Sequence, residues 1–186
     1  MKKVISYSLI VAIAITIVVL NVYDCMTSAD SGEEKKMSEQ EYFKSFELLS
    51  FEGEGFTNAM FCEGLVVVVN IWEPYCKSCI NEMEALEKLY CNYKDKGLMV
   101  IGIEGNAYLY EDELELAYEE WESMNVSFPM LLADEGFTAE VLPSLKDTFP
   151  GTYILDESGK VLDFRHGAMC YEDWVRFVEP FLKEEF

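Results

Sequence analysis

Two cysteines separated by two residues, Cys76 and Cys79, are the side chains of this sequence best suited to do chemistry. Thiols at this spacing can close a disulfide with each other, and a thiolate attacks the disulfide of another molecule. The pair follows an apolar segment, 65–71, and precedes a helical pattern from about Cys76 to about Lys94. Cys76 therefore falls at a predicted helix start, where unpaired backbone N–H groups and the helix dipole favour a thiolate.

A zinc site is one alternative for such a pair. It would need two more cysteine or histidine ligands at comparable spacing, but the other cysteines are isolated and His166 is the single histidine. Covalent haem attachment needs a histidine directly after Cys79, where the sequence has Ile80. The spacing therefore favours disulfide exchange without a metal, and with no cofactor beyond the disulfide itself.

The N-terminal segment, 1–25, is predicted to be a membrane anchor or a signal segment. Lys2 and Lys3 precede an apolar stretch, and a membrane segment is predicted over 4–22. The apolar stretch is near the lower length limit of a spanning helix and is long for a signal peptide. An uncleaved anchor is favoured, with a cleaved signal or a lipoprotein lipidated at Cys25 as alternatives. The lysines would stay in the cytoplasm, so the following domain is expected outside it.

Composition and charge limit the remaining possibilities. Residues 26–38 are mostly polar and are predicted to form a flexible tether, which leaves 39–186 as the folded domain. Hydrophobic residues make up 51% of the chain, enough for a sizeable core, and the formal net charge is −21. Such a charge opposes binding to nucleic acid or to anionic lipid headgroups. We interpret it as a solvated acidic surface, with recognition of a basic partner as the alternative.

The elements that must position the cysteines predict an α/β domain. The segment 65–71 does not alternate between polar and apolar residues, which is typical of a strand buried on both faces. A second apolar strand, 98–103, follows the cysteine-bearing helix, so the two strands should pair in parallel through a crossover. The remaining patterns predict a hairpin within 46–56, an acidic helix over 111–124, strands over 128–132, 152–155 and 160–164, and a final helix from about 171 that Pro180 should kink or shorten.

From about Phe46 to Leu182 the chain resembles the exported thioredoxin-like thiol-disulfide oxidoreductases of the TlpA/ResA type. The matching motifs, in chain order, are Asn70-Ile71-Trp72, the Cys76/Cys79 pair, Glu82, the strand Val100–Ile103, the acidic helix, the segment Phe128–Leu132, and Pro150–Asp156 with its Gly159-Lys160 turn. The resemblance implies a thioredoxin fold, with a central mixed sheet flanked by helices, an N-terminal hairpin and an inserted helix, all preceded by the membrane segment.

The resemblance also implies roles for individual residues. Cys76 would be the attacking cysteine and Cys79 the resolving one. Glu82 would handle protons for the thiols, although an acid early in a helix can also simply complement the helix dipole. Pro150 would be a cis-proline facing the disulfide. The implied catalytic residues are Cys76, Cys79 and Glu82, and the implied substrate groove comprises Trp72, Tyr75, Lys77, Ser78, Phe149, Pro150 and Gly151.

Two departures from the family pattern lie inside this site. Ser78 stands directly before the second cysteine, where these proteins usually have proline, and Gly151 replaces a bulkier or hydroxyl-bearing residue after the cis-proline. Residues between the cysteines tune the thiolate and the reduction potential. The sequence therefore predicts the chemistry but leaves the potential open.

The function that the resemblance implies is reduction of disulfides in exported proteins, including apocytochromes awaiting haem. A membrane thiol-electron carrier would return the protein to its dithiol form. One alternative is a peroxiredoxin-like peroxidase, but Glu73 occupies the position of its threonine, and Arg165 and Arg176 are the sole arginines. Another is a non-catalytic, membrane-anchored binding domain with a static Cys76–Cys79 bridge, although a disulfide that closes so short a loop stabilises a fold little.

The other thiols have no assigned role. Cys91 is predicted to be a buried, unreactive thiol. Cys62 should lie in a loop and Cys170 near the start of the last helix, and either could enter a disulfide whose partner the sequence does not specify. His166 is expected at the surface.

Overall fold

The apolar segment before the cysteines forms the strand around which the computed structural model is organised. This strand, Val66–Trp72, is β3, and all of its residues are buried. It pairs in parallel with β4, Leu98–Glu104, and antiparallel with β6, Gly151–Leu155. The predicted burial on both faces is confirmed, since β3 has a neighbour along each edge and side chains packed against each face.

The structure describes residues 42–62, 65–106, 108, 111–146 and 148–182. The predicted anchor or signal segment, the membrane span over 4–22 and the tether over 26–38 lie outside these residues. Among the helices that are described, none is both long and apolar enough to cross a bilayer.

Within the described residues, seven strands form one mixed sheet. Their order is β2-β1-β5-β4-β3-β6-β7, in which β3, β4 and β5 run parallel and the other pairings are antiparallel. The other four strands are β1 (Glu47–Ser50), β2 (Gly55–Thr57), β5 (Met130–Leu132) and β7 (Val161–His166). The mixed sheet and the N-terminal hairpin agree with the sequence prediction.

Four α-helices accompany the sheet in the described part of the chain. They are α1, Lys77–Tyr93, α2, Glu111–Met124, α3, Glu135–Glu140, and α4, Tyr171–Val178. Helix α2 has its predicted bounds, and α4 ends before Pro180 in a turn of 3-10 helix, as the missing N–H of proline requires. Helix α3 was not predicted, because six residues are too few to show helical periodicity. The Asp134 carboxylate caps it by accepting a hydrogen bond from the Phe137 N–H at 2.7 Å.

The two faces of the sheet carry separate apolar cores. Along β3, Val67, Val69 and Ile71 point to one face, which is covered by aromatic residues of 42–46 and by α3. Val66, Val68 and Trp72 point to the other face, which is covered by α1, α2 and α4. Helix α1 is thereby fixed with its first turn at the carboxyl end of β3, which is where the two cysteines lie.

Candidate active site

The two cysteines form a disulfide across the start of α1. Their Cα atoms are 5.2 Å apart, and Cys76 caps the helix, with its sulfur accepting a hydrogen bond from the Cys79 N–H at 3.2 Å. Cys79 has no exposed surface, whereas Cys76 is half-buried. An incoming disulfide can therefore reach Cys76 and not Cys79.

A tight turn carries the chain from β3 into α1. The strand ends at Trp72, and the N–H of Cys76 donates to the carbonyl of Glu73 at 3.1 Å. The first helical hydrogen bond follows from Ile80 N–H to the Cys76 carbonyl, also at 3.1 Å. Cys76 thus lies at the amino end of the helix, where the dipole and unpaired N–H groups stabilise negative charge on its sulfur.

The residues of the predicted groove differ in exposure. Tyr75 is 64% exposed, and Lys77 and Ser78 are also exposed, so these three side chains surround Cys76 on the solvent side. Trp72 is instead fully buried in the apolar cluster that contains Cys79, and its ring stacks on Phe51 at 6.2 Å. Trp72 therefore packs beneath the site and presents no surface to a bound protein, which corrects its predicted place in the groove.

The proline segment lies at the same end of the sheet. The Phe149–Pro150 peptide bond is cis. Gly151 begins β6 and pairs with Ile71, so Pro150 is placed beside the carboxyl end of β3, where α1 begins. Phe149 is half-buried, whereas Pro150 and Gly151 are buried.

Glu82 is a buried carboxyl one turn after Cys79. It is 3% exposed, its Oε1 accepts a hydrogen bond from Asn70 Nδ2 at 2.9 Å, and its Oε2 accepts one from the Met169 N–H at 2.9 Å. Burial raises the pKa of Glu82 to about 7, although both hydrogen bonds act to lower it. Its environment is therefore not that of a solvated acid near a helix start, and it can exchange a proton near neutral pH.

Asn70 and Thr152 extend this buried polar group across the sheet. Asn70 Nδ2 also donates to Thr152 Oγ1 at 3.1 Å, and the two residues are directly opposite each other on β3 and β6. The amide oxygen of Asn70 has no hydrogen-bond partner among the described residues. Asn70 thus presents its donor side to Glu82.

Sequence reasoning missed Asn70, Thr152 and Met169 as parts of the site. A signal existed for Asn70, because it is the polar residue of an otherwise apolar buried strand and a buried amide requires hydrogen-bond partners. Met169 is 87 residues from Glu82 and contributes a backbone N–H, which no side-chain pattern can reveal.

The three other described cysteines are free and exposed. For Cys91 this contradicts the prediction of a buried thiol: its S–H donates to Glu87 Oε1 at 3.1 Å. Cys170 occupies the N-cap position of α4 without a capping hydrogen bond from its side chain, and its S–H donates to Asp173 Oδ2 at 3.1 Å. These carboxylates raise the pKa of the Cys91 and Cys170 thiols, which disfavours the nucleophilic thiolate.

The remaining candidates for chemistry lie apart from the disulfide. His166 ends β7 and is exposed, as predicted. Within the described ranges no three His, Cys, Asp or Glu side chains are grouped so that they could hold a metal ion. Within the described residues, the groups best suited to do chemistry are therefore the Cys76–Cys79 disulfide and Glu82.

A parallel strand–helix–strand unit with a disulfide at the helix start and a neighbouring cis-proline defines the thioredoxin-like class of thiol-disulfide oxidoreductases. A solved structure of a secreted disulfide oxidoreductase from Mycobacterium tuberculosis has this fold, with a TM-score of 0.58 and 17% identity, and the match covers 74% of this chain and 97% of that one.

Comparison of sequences identifies the family to which the chain belongs. A model of the AhpC/TSA family matches residues 40–164, and the chain belongs to that family. The thioredoxin-like protein YneN of Bacillus subtilis is 30% identical over 143 residues, which cover 77% of this chain and 80% of YneN. The thiol-disulfide oxidoreductase ResA of Halalkalibacterium halodurans is 29% identical over 140 residues, covering 73% of this chain and 74% of ResA. The predicted ResA-type relationship is confirmed, and the protein is a thiol-disulfide oxidoreductase.

Proposed function

We propose that this enzyme works as a reductase, using the Cys76/Cys79 dithiol to reduce disulfides of exported proteins. The observation that carries the exchange chemistry, in either direction, is the asymmetry of the pair: Cys76 is half-buried at the helix start, and Cys79 is fully buried behind it. Such a pair suits one attacking and one resolving thiol. A purely structural bridge would gain little from closing so short a loop.

The reaction proceeds by two thiol-disulfide exchanges. The Cys76 thiolate attacks one sulfur of the substrate disulfide, and the other substrate sulfur leaves as a thiolate. Cys79 then loses its proton and attacks the Cys76 sulfur, which releases the first substrate sulfur as a thiolate. The substrate has gained two electrons and takes up protons from water, and the protein is left with the Cys76–Cys79 disulfide.

Glu82 is proposed as the proton acceptor for the second exchange. Cys79 is sealed from solvent, so its proton needs a nearby acceptor within the protein. Glu82 lies one helical turn further along α1, and its pKa of about 7 suits it to accept a proton and release it again near neutral pH. The Asn70 amide and the Met169 N–H would hold the carboxylate once it has formed.

The substrate is proposed to lie across the exposed surface around Cys76. Tyr75, Lys77 and Ser78 border the sulfur, and the Phe149–Gly151 segment adjoins it at the end of β3. In the proposed arrangement an extended substrate contacts this segment at Phe149, because Pro150 and Gly151 are buried, while its disulfide contacts Cys76. Apocytochromes before haem attachment are one proposed substrate.

We propose that the folded domain lies outside the cytoplasm and that residues 4–22 anchor the protein to the membrane. Support comes from the apolar sequence after Lys2 and Lys3, and from the relationship to ResA. A membrane thiol-electron carrier would then return electrons to the disulfide, because an exported reductant has no direct access to cytoplasmic thiols. Nucleic acid is not a proposed partner, since the chain carries a net charge of −21.

Turnover of a protein disulfide tests the proposal. With dithiothreitol as the electron source, the full-length protein is expected to accelerate reduction of insulin disulfides, and Cys76→Ser should lose this acceleration by about two orders of magnitude or more. Cys62→Ser is the matched control, because Cys62 is an exposed free thiol outside the site. No acceleration by the wild-type protein would favour a static bridge, and stoichiometric consumption of peroxide would favour a peroxidase.

A further inference from the structure

The hydroxyl of Ser78 contacts the sulfur of Cys76. Ser78 Oγ lies 3.2 Å from Cys76 Sγ, and Ser78 is the second residue of α1 with an exposed side chain. In the disulfide the Cys76 sulfur carries no proton, so the hydroxyl must be the donor in this contact. The sulfur therefore accepts two hydrogen bonds, from Ser78 O–H and from Cys79 N–H, each at 3.2 Å.

We propose that Ser78 is a thiolate-stabilising residue of this enzyme, whose hydroxyl donates to the Cys76 thiolate and so favours the dithiol form over the disulfide. The proposal rests on the disulfide chemistry proposed above and deepens it, because it assigns the control of the redox equilibrium to a residue between the cysteines.

The direction of the effect follows from the charge on sulfur. Reduction adds two electrons and breaks the S–S bond; one proton goes to Cys79, and Cys76 is left as a thiolate. A hydroxyl donates more strongly to a charged thiolate than to a neutral disulfide sulfur, because hydrogen bonds to ionised acceptors are the stronger ones. The same contact therefore stabilises the reduced form more than the oxidised form.

The charged groups near the described thiols support the assignment of this role to Ser78. Lys77 is also adjacent to Cys76, but its side chain is exposed and its charge is screened by salt. The exposed thiols of Cys91 and Cys170 contact carboxylates, which act in the opposite sense. Cys76 instead has the hydroxyl of Ser78, from its own helix, as its side-chain neighbour.

Two substitutions in the full-length protein test the role of the hydroxyl. Ser78→Ala is expected to lower the acid dissociation constant of the Cys76 thiol by about 3- to 10-fold, a modest factor because water competes for an exposed hydrogen bond. The equilibrium constant for reduction should fall by the same factor, which is about 14 to 30 mV for a two-electron couple. Ser78→Thr keeps the hydroxyl and should restore both quantities.

The readout must be specific for Cys76, because other cysteines are exposed. Mass spectrometry of the Cys76 peptide after timed alkylation at a series of pH values gives its dissociation constant, and the same peptide in dithiothreitol redox buffers gives the equilibrium constant. Ser123→Ala is the matched control, as Ser123 is an exposed helical serine at the far end of α2. The proposal is overturned if Ser78→Ala stays within twofold of wild type in both quantities, or if Ser78→Thr behaves like alanine. Neither measurement uses a protein substrate, so failure of the reductase proposal would show separately, as absent insulin turnover by wild type.

Discussion

Replacing Glu82 by glutamine is expected to remove about 2 to 3 kcal/mol of pH dependence from the stability of the folded protein between pH 5 and pH 8. The reason is that burial raises the pKa of Glu82 from 4.5 to about 7 in the folded protein. Below about pH 4.5 the carboxyl is protonated in both the folded and the unfolded state, and its ionisation costs the fold nothing. As the pH rises toward 7, the unfolded state releases its proton first, so the folded state loses stability; above that range the loss is constant.

Urea unfolding of the oxidised protein at pH 5, 6, 7 and 8 measures this effect. Wild type should lose stability relative to Glu82→Gln across the series, and the difference between the two proteins is the quantity to compare, because titration of the other acids is common to both. Glu84→Gln is the matched control, since Glu84 is an exposed acid of the same helix and its curve should parallel that of wild type. Parallel curves for wild type and Glu82→Gln would contradict the burial of an ionisable carboxyl at this position.

Replacing Cys79 by alanine is expected to arrest the reaction after its first exchange. Cys76 keeps its place at the helix start, so attack on a substrate disulfide continues, but no second thiol is available to release the substrate. Protein should therefore accumulate as a mixed disulfide with its substrate, and turnover should fall by about two orders of magnitude or more. Alanine is preferred to serine, because Cys79 is fully buried and a serine hydroxyl there would lack a partner.

Non-reducing electrophoresis and mass spectrometry of the linked peptide identify the trapped sulfur. Cys76→Ser should trap nothing, and Cys91→Ser should turn over like wild type, because Cys91 is exposed on the outer side of α1. A mixed disulfide through Cys79 in the Cys76→Ser variant would reverse the assignment of the two thiols.

The central features of the site could be predicted because the physics that determines them is local. A continuous apolar strand, a cysteine at the start of a helix and a second cysteine one turn later are all encoded within residues 65–79. The parallel pairing of β3 with β4 follows from the crossover through α1. The bounds of α2 were also predictable, since its acidic residues and its apolar positions alternate with helical spacing.

Cys91 shows how a general preference can mislead. Cysteine is among the most frequently buried residue types, and the prediction relied on that tendency. The apolar stripe of α1 includes Cys79, Met83 and Leu86, and Cys91 lies outside its continuation. Helical position therefore decides the exposure of this thiol, and residue type does not.

The partners of Glu82 lay beyond the reach of local patterns. Its position three residues after Cys79 was visible, but its burial depends on the loop before α4, which brings the Met169 N–H to its carboxylate. The hydrogen bond from Asn70 to Glu82 depends on how α1 packs against β3, and the bond from Asn70 to Thr152 depends on the register of β3 with β6. A raised pKa is thus a property of the assembled fold.

The midpoint potential of the Cys76/Cys79 couple, measured on the full-length protein, decides whether this enzyme works as a reductase. A reductase should show a reversible two-electron couple with a potential near or below roughly −220 mV, the range of a reductant. A potential near or above about −150 mV would contradict the reductase direction, because the disulfide would then be an oxidant. The absence of any reversible couple would contradict the dithiol chemistry itself.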